Sequence, residues 1–161
     1  LDSRAFPFHP QQIRLVRYLR ELVIDITNDP AFSSRDLEFE SNLPEITATV
    51  DPDLFRRAVQ NLIVNALDAV SDNGSVQIIL TKSKEQFVVS IIDDGCGIAP
   101  KQLLTIFHPF TTTKPDGTGL GLPVAKRIIE GHGGHIRVSS APNQGTTFTF
   151  LLPCSFSSDR K

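Results

Sequence analysis

The stretch DPDLFRRAVQNLIVNALDAVS, residues 51–71, decides how the rest of the chain is read. Asp51 and Pro52 supply a cap and a first-turn proline for a helix, and Asp72-Asn73-Gly74 stops it. At 100° per residue, Phe55, Ala58, Val59, Leu62, Ile63, Ala66, Ala69 and Val70 fall on one broad apolar arc, so this helix lies on a core. Asn61, Asn65 and Asp68 follow one another at i, i+4 and i+7 as a single stripe, with Asn65 at the border of the arc. Asparagine is a poor mid-helix residue because its amide competes for the backbone, so two of them on one stripe call for a reason. Two remain open: an amide oxygen as a hard ligand for Mg²⁺, or a surface stripe bonded to neighbouring loops.

Working outward, residues 75–81 and 87–92 alternate or run apolar around a charged turn at 82–86, which predicts a hairpin. A helix is expected over 120–130 and two closing strands over 135–139 and 146–152. Upstream, Leu15, Leu19, Leu22 and Ile26 recur at spacings of three and four, predicting a helix over 12–26. Residues 37–40 (LEFE) and 47–50 (TATV), on either side of Asn42-Leu43-Pro44, read as a second hairpin. This order predicts a two-layer α/β sandwich, a mixed and mostly antiparallel sheet of about five strands with helices on one face. Residues 1–11, with two prolines and no period, read as a linker from a preceding domain; 12–153 form the domain and 154–161 a polar tail.

Composition narrows the function classes. Apolar residues make up 40% of the chain and charged residues 21%, which suits one domain with a real core and rules out disorder. No apolar run reaches the length of a membrane-spanning helix. A net charge of −2 gives no argument for nucleic acid or an acidic membrane surface as partner. Cys96 and Cys154 have no second Cys or His at metal-ligand spacing and read as free thiols of a cytoplasmic domain.

Three further stretches carry chemistry. In Ile91-Ile92-Asp93-Asp94-Gly95-Cys96-Gly97-Ile98 an apolar strand runs into a carboxylate and two glycines. A carboxylate at the buried end of a strand must accept hydrogen bonds, which an exocyclic amine such as that of adenine can donate; the alternative is an ordinary Asp-Gly turn. In Gly117-Thr118-Gly119-Leu120-Gly121-Leu122, glycines at alternate positions precede a helix N-terminus, where free N–H groups can meet phosphate, or simply form a hinge. The spacing matches neither the dinucleotide fingerprint nor the P-loop. Between them, Phe107 and Phe110 can pin the base of a lid over about 107–119, in which Thr113 and Lys114 are candidate phosphate contacts. His132 and His135, separated by Gly133-Gly134, read as part of a turn and not as a metal pair.

Taken in order, the Asn-x-x-x-Asn helix, Asp-x-Gly-x-Gly, the aromatic-flanked lid, Gly-Thr-Gly-Leu-Gly-Leu and the late Gly145-Thr146 resemble the N box, glycine boxes and F box of sensor histidine kinases. These belong to the ATPase superfamily of the DNA gyrase B subunit, the MutL proteins and the heat-shock ATPase chaperones. The likeness spans roughly residues 12–153 and is nearest to the nitrogen-regulation subtype. It implies ATP and Mg²⁺ as cofactors, Asn65 as magnesium ligand and Asp93 as adenine anchor. It also implies Gly95, Gly97, Ile98 and Thr146 around the base, Phe107 at the nucleotide through the lid, and Thr113, Lys114, Gly117, Thr118, Gly119, Leu120, Gly121 and Leu122 around the phosphates. Asn61 stands where gyrase-like relatives hold a catalytic glutamate, which implies transfer and not hydrolysis, with Asn61, Asn65 and Lys114 at the reacting phosphate. Some members carry a lysine three residues after the magnesium asparagine; Asp68 stands there in this chain and leaves Lys114 as the cation. The implied acceptor is a histidine on a preceding helical domain, which His9-Pro10 does not match, and the next partner is a response regulator. The resemblance implies a monomeric domain within a homodimeric protein. Its competitors are a serine or dehydrogenase kinase of the same superfamily and a non-catalytic ATP-sensing module.

Overall fold

The computed structural model describes residues 6–111 and 119–154. Strand β1 (Gln11–Arg14) leads directly into helix α1 (Leu15–Thr27). Strands β2 (Asp36–Ser41) and β3 (Thr47–Val50) follow, and then helix α2 (Pro52–Ala69). The hairpin of β4 (Ser75–Ser83) and β5 (Gln86–Asp93), the short helix α3 (Pro100–Leu103), helix α4 (Gly121–Gly131) and strands β6 (His135–Ser140) and β7 (Thr146–Pro153) complete the domain. The main sheet has five strands in the order β2-β4-β5-β7-β6, parallel only between β2 and β4. Val76, Ile78 and Leu80 of β4, Phe87, Val89 and Ile91 of β5, and Phe148, Phe150 and Leu152 of β7 alternate onto one face and are buried under the helices. The two-layer sandwich with helices on one face is therefore the observed fold. At the sheet's edges, β2 turns Asp36, Glu38 and Glu40 outward and β6 turns out His135, Arg137 and Ser139.

One expectation fails. β2 and β3 do not form a hairpin; β2 pairs in parallel with β4, and β3 pairs antiparallel with β1 in a separate two-stranded ribbon. Local hydrogen bonds explain the departure at Asn42-Leu43-Pro44, because the Leu43 N–H turns back onto the Ser41 hydroxyl while that hydroxyl donates to Leu80 O. The chain thus leaves the sheet at Ser41 instead of reversing along it. The first helix also begins at Leu15 and not at residue 12, since Gln11–Arg14 is taken up by the ribbon. Its first turn has no local side-chain cap; Glu45 supplies one from the loop before β3, accepting the Val16 and Arg17 N–H groups at 3.1 Å each.

Helix α2 carries the fold. Phe55, Ala58, Val59, Leu62, Ile63, Ala66 and Leu67 are buried along it, at about 1.5–3 kcal/mol for each large side chain. At its start the buried Asp51 carboxylate accepts the Asp53, Leu54 and His9 N–H groups at 3.1, 3.0 and 2.8 Å. Burial opposes that charge, yet the Leu54, His9 and Asp53 donors outweigh it and hold the Asp51 carboxyl below its ordinary pKa. The Asp51 N–H in turn donates to His132 Nε2 at 3.0 Å, while His132 Nδ1 lies 2.7 Å from Ile128 O. The ring therefore carries its proton on Nδ1 and is neutral. A second hydrogen bond between the two helices, Asn61 Nδ2–H to Gly121 O at 3.2 Å, joins the middle of α2 to the start of α4, so the pair runs antiparallel. The leader packs on this pair as well. The Phe8 ring meets His132 edge-on at 4.8 Å, and Phe6 lies 5.6 Å from the Arg57 guanidinium and 5.0 Å from that of Arg127.

Burial holds the His132 imidazole below its ordinary pKa, so the unfolded chain binds a proton there that the folded chain does not. Its contribution to stability is complete above about pH 6.5 and is lost as the pH falls below that value. Urea unfolding of the wild type is expected to show this decline on going down from pH 7.5, and His132→Gln to flatten it. Equal slopes in the two proteins would place the titrating group elsewhere.

Candidate functional site

Strand β5 alternates inward and outward until Asp93, whose turn it is to face inward. The side chain is 5% exposed. Its Oδ1 accepts the Gly95 N–H at 2.9 Å, whereas Oδ2 is buried and accepts no hydrogen bond of good geometry. Burial pushes the Asp93 carboxyl above its ordinary pKa, and the Gly95 and Thr146 N–H groups pull it back only in part. Its neighbour Asp94 points to solvent and does a different job, accepting the Ser75 N–H at 3.0 Å to close the strand end.

The turn after Asp93 is fastened at several residues. The Cys96 N–H donates to Ala69 O at the end of α2 (3.3 Å), and Cys96 O accepts the Asn143 N–H (2.7 Å). The Ile98 N–H donates to Ser140 Oγ at 2.8 Å. Ser140 Oγ also lies 2.9 Å from Gly145 O and 2.8 Å from Thr146 Oγ1. With one proton to give, the Ser140 hydroxyl donates to Gly145 O and accepts from Thr146 Oγ1–H and Ile98 N–H. Ser140 thus joins the two glycine turns, and no motif in the sequence marked it; it is the last residue of an alternating strand.

These elements enclose a cavity of about 270 Å³ lined by Asn65, Asp68, Ala69, Asp93, Cys96, Gly97, Ile98, Gln102, Ile106, Thr111, Leu122 and Thr146. A smaller one of about 80 Å³ adjoins it, lined by Asn61, Asn65, Ile106, Thr111, Gly119, Gly121 and Leu122. Asn65 borders both. The larger cavity has an apolar floor with a buried acceptor at one wall, and the smaller one ends at the N-terminus of α4. A flat ring with a donor edge suits the first and an anion the second. Among the described residues no group of three or more His, Cys, Asp or Glu side chains is placed to hold a metal.

The histidine kinase-, DNA gyrase B- and HSP90-like ATPase family matches residues 50–155, the whole stretch that builds this site. The chain belongs to that ATPase family. Sensor histidine kinase ZraS of Escherichia coli strain K12 is 42% identical over 130 residues, covering 80% of this chain and 28% of its own length. The solved catalytic domain of histidine kinase ThkA superposes with a TM-score of 0.81 at 30% identity, covering 91% of this chain and 96% of that one. ThkA solved in complex with the response regulator protein TrrA gives a TM-score of 0.79 at 26% identity, over 92% of this chain and 42% of that one. The chain thus spans little more than a quarter of its curated relative and nearly all of an isolated catalytic domain.

Within this ATPase domain, six residues singled out from the sequence meet at the larger cavity: Asn65, Asp93, Gly97, Ile98, Leu122 and Thr146. Asn61, Gly119 and Gly121 meet Asn65 and Leu122 at the smaller one. Phe107 lines neither; its ring packs edge-on against Phe148 at 6.2 Å with the Lys126 ammonium 5.3 Å from its centre. Leu120 caps α4 without lining a cavity, and Thr113, Lys114, Gly117 and Thr118 lie outside the described residues. Gln102, Ile106 and Ala69 line the cavity unannounced, because their spacing is that of ordinary helix and turn residues.

The glycines divide into two kinds. A Cβ at Gly95 would press on Ala69 O, and one at Gly97, where φ is +72°, would overlap Ala141 O. Both are demanded by the protein's own packing. A Cβ at Gly121 would meet nothing, so nothing in the fold requires glycine there. Gly97→Ala is expected to destabilise by at least about 1–2 kcal/mol in denaturant unfolding, and Gly121→Ala to change stability by no more than about 0.5 kcal/mol. A large loss at Gly121 would make it a folding residue like the others.

Proposed function

We propose that this chain is the ATP-binding catalytic domain of a two-component sensor histidine kinase, passing the γ-phosphate of Mg·ATP to a histidine on a helical domain outside these 161 residues. The observation that carries the reading is the Asp93 carboxylate, buried with one oxygen unpartnered at the wall of a cavity of about 270 Å³. Leaving a buried carboxylate oxygen unpaired costs about 1–3 kcal/mol or more, and the exocyclic amine of adenine supplies the missing donor. Guanine presents a carbonyl at the same edge and would set oxygen against oxygen.

Asn65 is the residue to hold Mg²⁺, since of the helix stripe Asn61, Asn65 and Asp68 it alone borders both the base cavity and the smaller cavity at α4. An amide oxygen is a hard, neutral ligand, and magnesium needs few from the protein when phosphates and water complete its shell. The ion supplies neutralisation of charge on the transferring phosphate. Gly121, where a Cβ would meet nothing, leaves the α4 N-terminus open to phosphate oxygens, and Lys114 is the cation that the family resemblance gives to the same group. Asn61 donates to Gly121 O and, as an amide, cannot take a proton from water, which favours transfer over hydrolysis. The domain's contribution is positioning and charge neutralisation, and the acceptor's own domain deprotonates its histidine. Two likenesses support a response regulator as the next partner: the ZraS relative is a sensor kinase, and ThkA is solved with TrrA. No described helix is long and apolar enough to cross a membrane, and a cytoplasmic setting, where ATP is supplied, completes the proposal.

Calorimetric titration is expected to give micromolar binding of Mg·ATP and Mg·ADP and much weaker binding of Mg·GTP; equal affinity for GTP would remove Asp93 as the base anchor. Asp93→Asn should lower ATP affinity at least about tenfold, ~1.4 kcal/mol. With Asn65→Ala, affinity for ATP should no longer rise on adding Mg²⁺, and an unchanged response moves the metal elsewhere. Mixed with a separately expressed histidine-bearing helical hairpin from such a kinase and γ-labelled ATP, the domain should place acid-labile phosphate on the hairpin. Binding without any such transfer would leave an ATP-sensing module.

A further inference from the structure

The chain has two cysteines, and they sit in opposite surroundings. Cys154 is half-buried just past β7, away from either cavity, and burial pushes its thiol above the ordinary pKa. Cys96 is exposed and lines the larger cavity. Its backbone cannot withdraw: the N–H is bonded to Ala69 O, the carbonyl to Asn143 N–H, and the glycines on either side have no room for even a Cβ. Sγ lies 3.6 Å from Gly97 O, a weak contact that leaves the sulfur open to attack. The same cavity holds the Asp93 carboxylate, 95% buried and with its Oδ2 unpartnered, which independently marks it as a place where a ligand binds.

We propose that Cys96 is a modification site inside the nucleotide cavity, open to small soluble disulfides when the cavity is empty, shielded when nucleotide is bound, and incompatible with nucleotide once modified. The reaction is thiol–disulfide exchange. The Cys96 proton goes to solvent, the thiolate attacks one sulfur of the disulfide, a new S–S bond forms as the old one breaks, and the other half leaves as a thiolate. No outside oxidant is needed beyond the disulfide. The adduct is anchored at a residue that lines the cavity and therefore competes with the base for that space. The proposal rests on the assignment of this cavity to ATP.

The test uses the 161-residue chain carrying Cys154→Ser, with 5,5′-dithiobis(2-nitrobenzoic acid) as the disulfide and release of its coloured thiolate as readout. One equivalent is expected, and ATP at ten times its Kd should slow release about tenfold, because about one cavity in eleven stays open. Protein carrying the adduct should bind ATP at least about tenfold more weakly, with reversal by a reducing thiol. Cys96→Ser in the same background should release nothing. If the unlabelled protein binds ATP and labelling is equally fast with and without it, or the adduct binds ATP normally, the proposal fails alone. If the unlabelled protein does not bind ATP, the nucleotide reading fails and takes the proposal with it.

Discussion

Helix α2 has one permitted rotation about its axis. Phe55, Leu62, Ile63 and Leu67 are all essentially inaccessible, and a turn by one residue, about 100°, would carry them toward solvent. The stripe of Asn61, Asn65 and Asp68 is therefore aimed by the hydrophobic core and not by any ligand. Both ends of the helix are then used as anchors. Its N-terminus holds the leader and His132 through Asp51, and its last carbonyls hold the turn at Cys96. The glycine turn that borders the cavity hangs from the same rod that carries Asn65.

Asp51 and Asp93 show how one type of side chain is put to opposite uses. Both are buried aspartates, 4% and 5% exposed. Asp51 receives three N–H donors, which outweigh its desolvation and leave its pKa lowered. Asp93 receives too few, and desolvation prevails. The first is a structural cap whose charge is fully compensated. The second keeps an uncompensated oxygen, a local penalty that a bound donor relieves. Around Asp93 the protein leaves nothing else loose, since Ser140, Thr146, Gly145 and Ile98 satisfy one another.

Much of this was visible in the residues alone, and the reason differs from case to case. The apolar arc of α2 and the β4–β5 hairpin follow from local periodicity and come out as expected. The pairing of β2 with β4 and of β3 with β1 does not, because each joins residues more than 30 positions apart, 39 in the first and 33 to 39 in the second, and the QQIR of β1 has no strand signal. Asn42-Leu43-Pro44 supplies a convincing turn between two extended segments, but adjacency in sequence does not decide which strand a segment joins. At the site, Asn65 and Asp93 stand out by being in the wrong place for their type, an amide in mid-helix and a carboxylate at a buried strand end. Ser140, Gln102 and Ile106 do not, since their positions suit a surface strand or a plain turn. Phe107, expected to pin the base of a lid by apolar burial, packs on the core beside Phe148.

The sheet ends in two differently charged borders. β2 presents Asp36, Glu38 and Glu40 on alternate outward positions, while β6 presents His135 and Arg137. Open strand edges are templates for another chain to add to, and charge on the edge is one of the means by which proteins forbid it. Two copies meeting through β2 would set three carboxylates against three, so the strand that is hardest to place from sequence also keeps this domain from extending its sheet into that of a second copy.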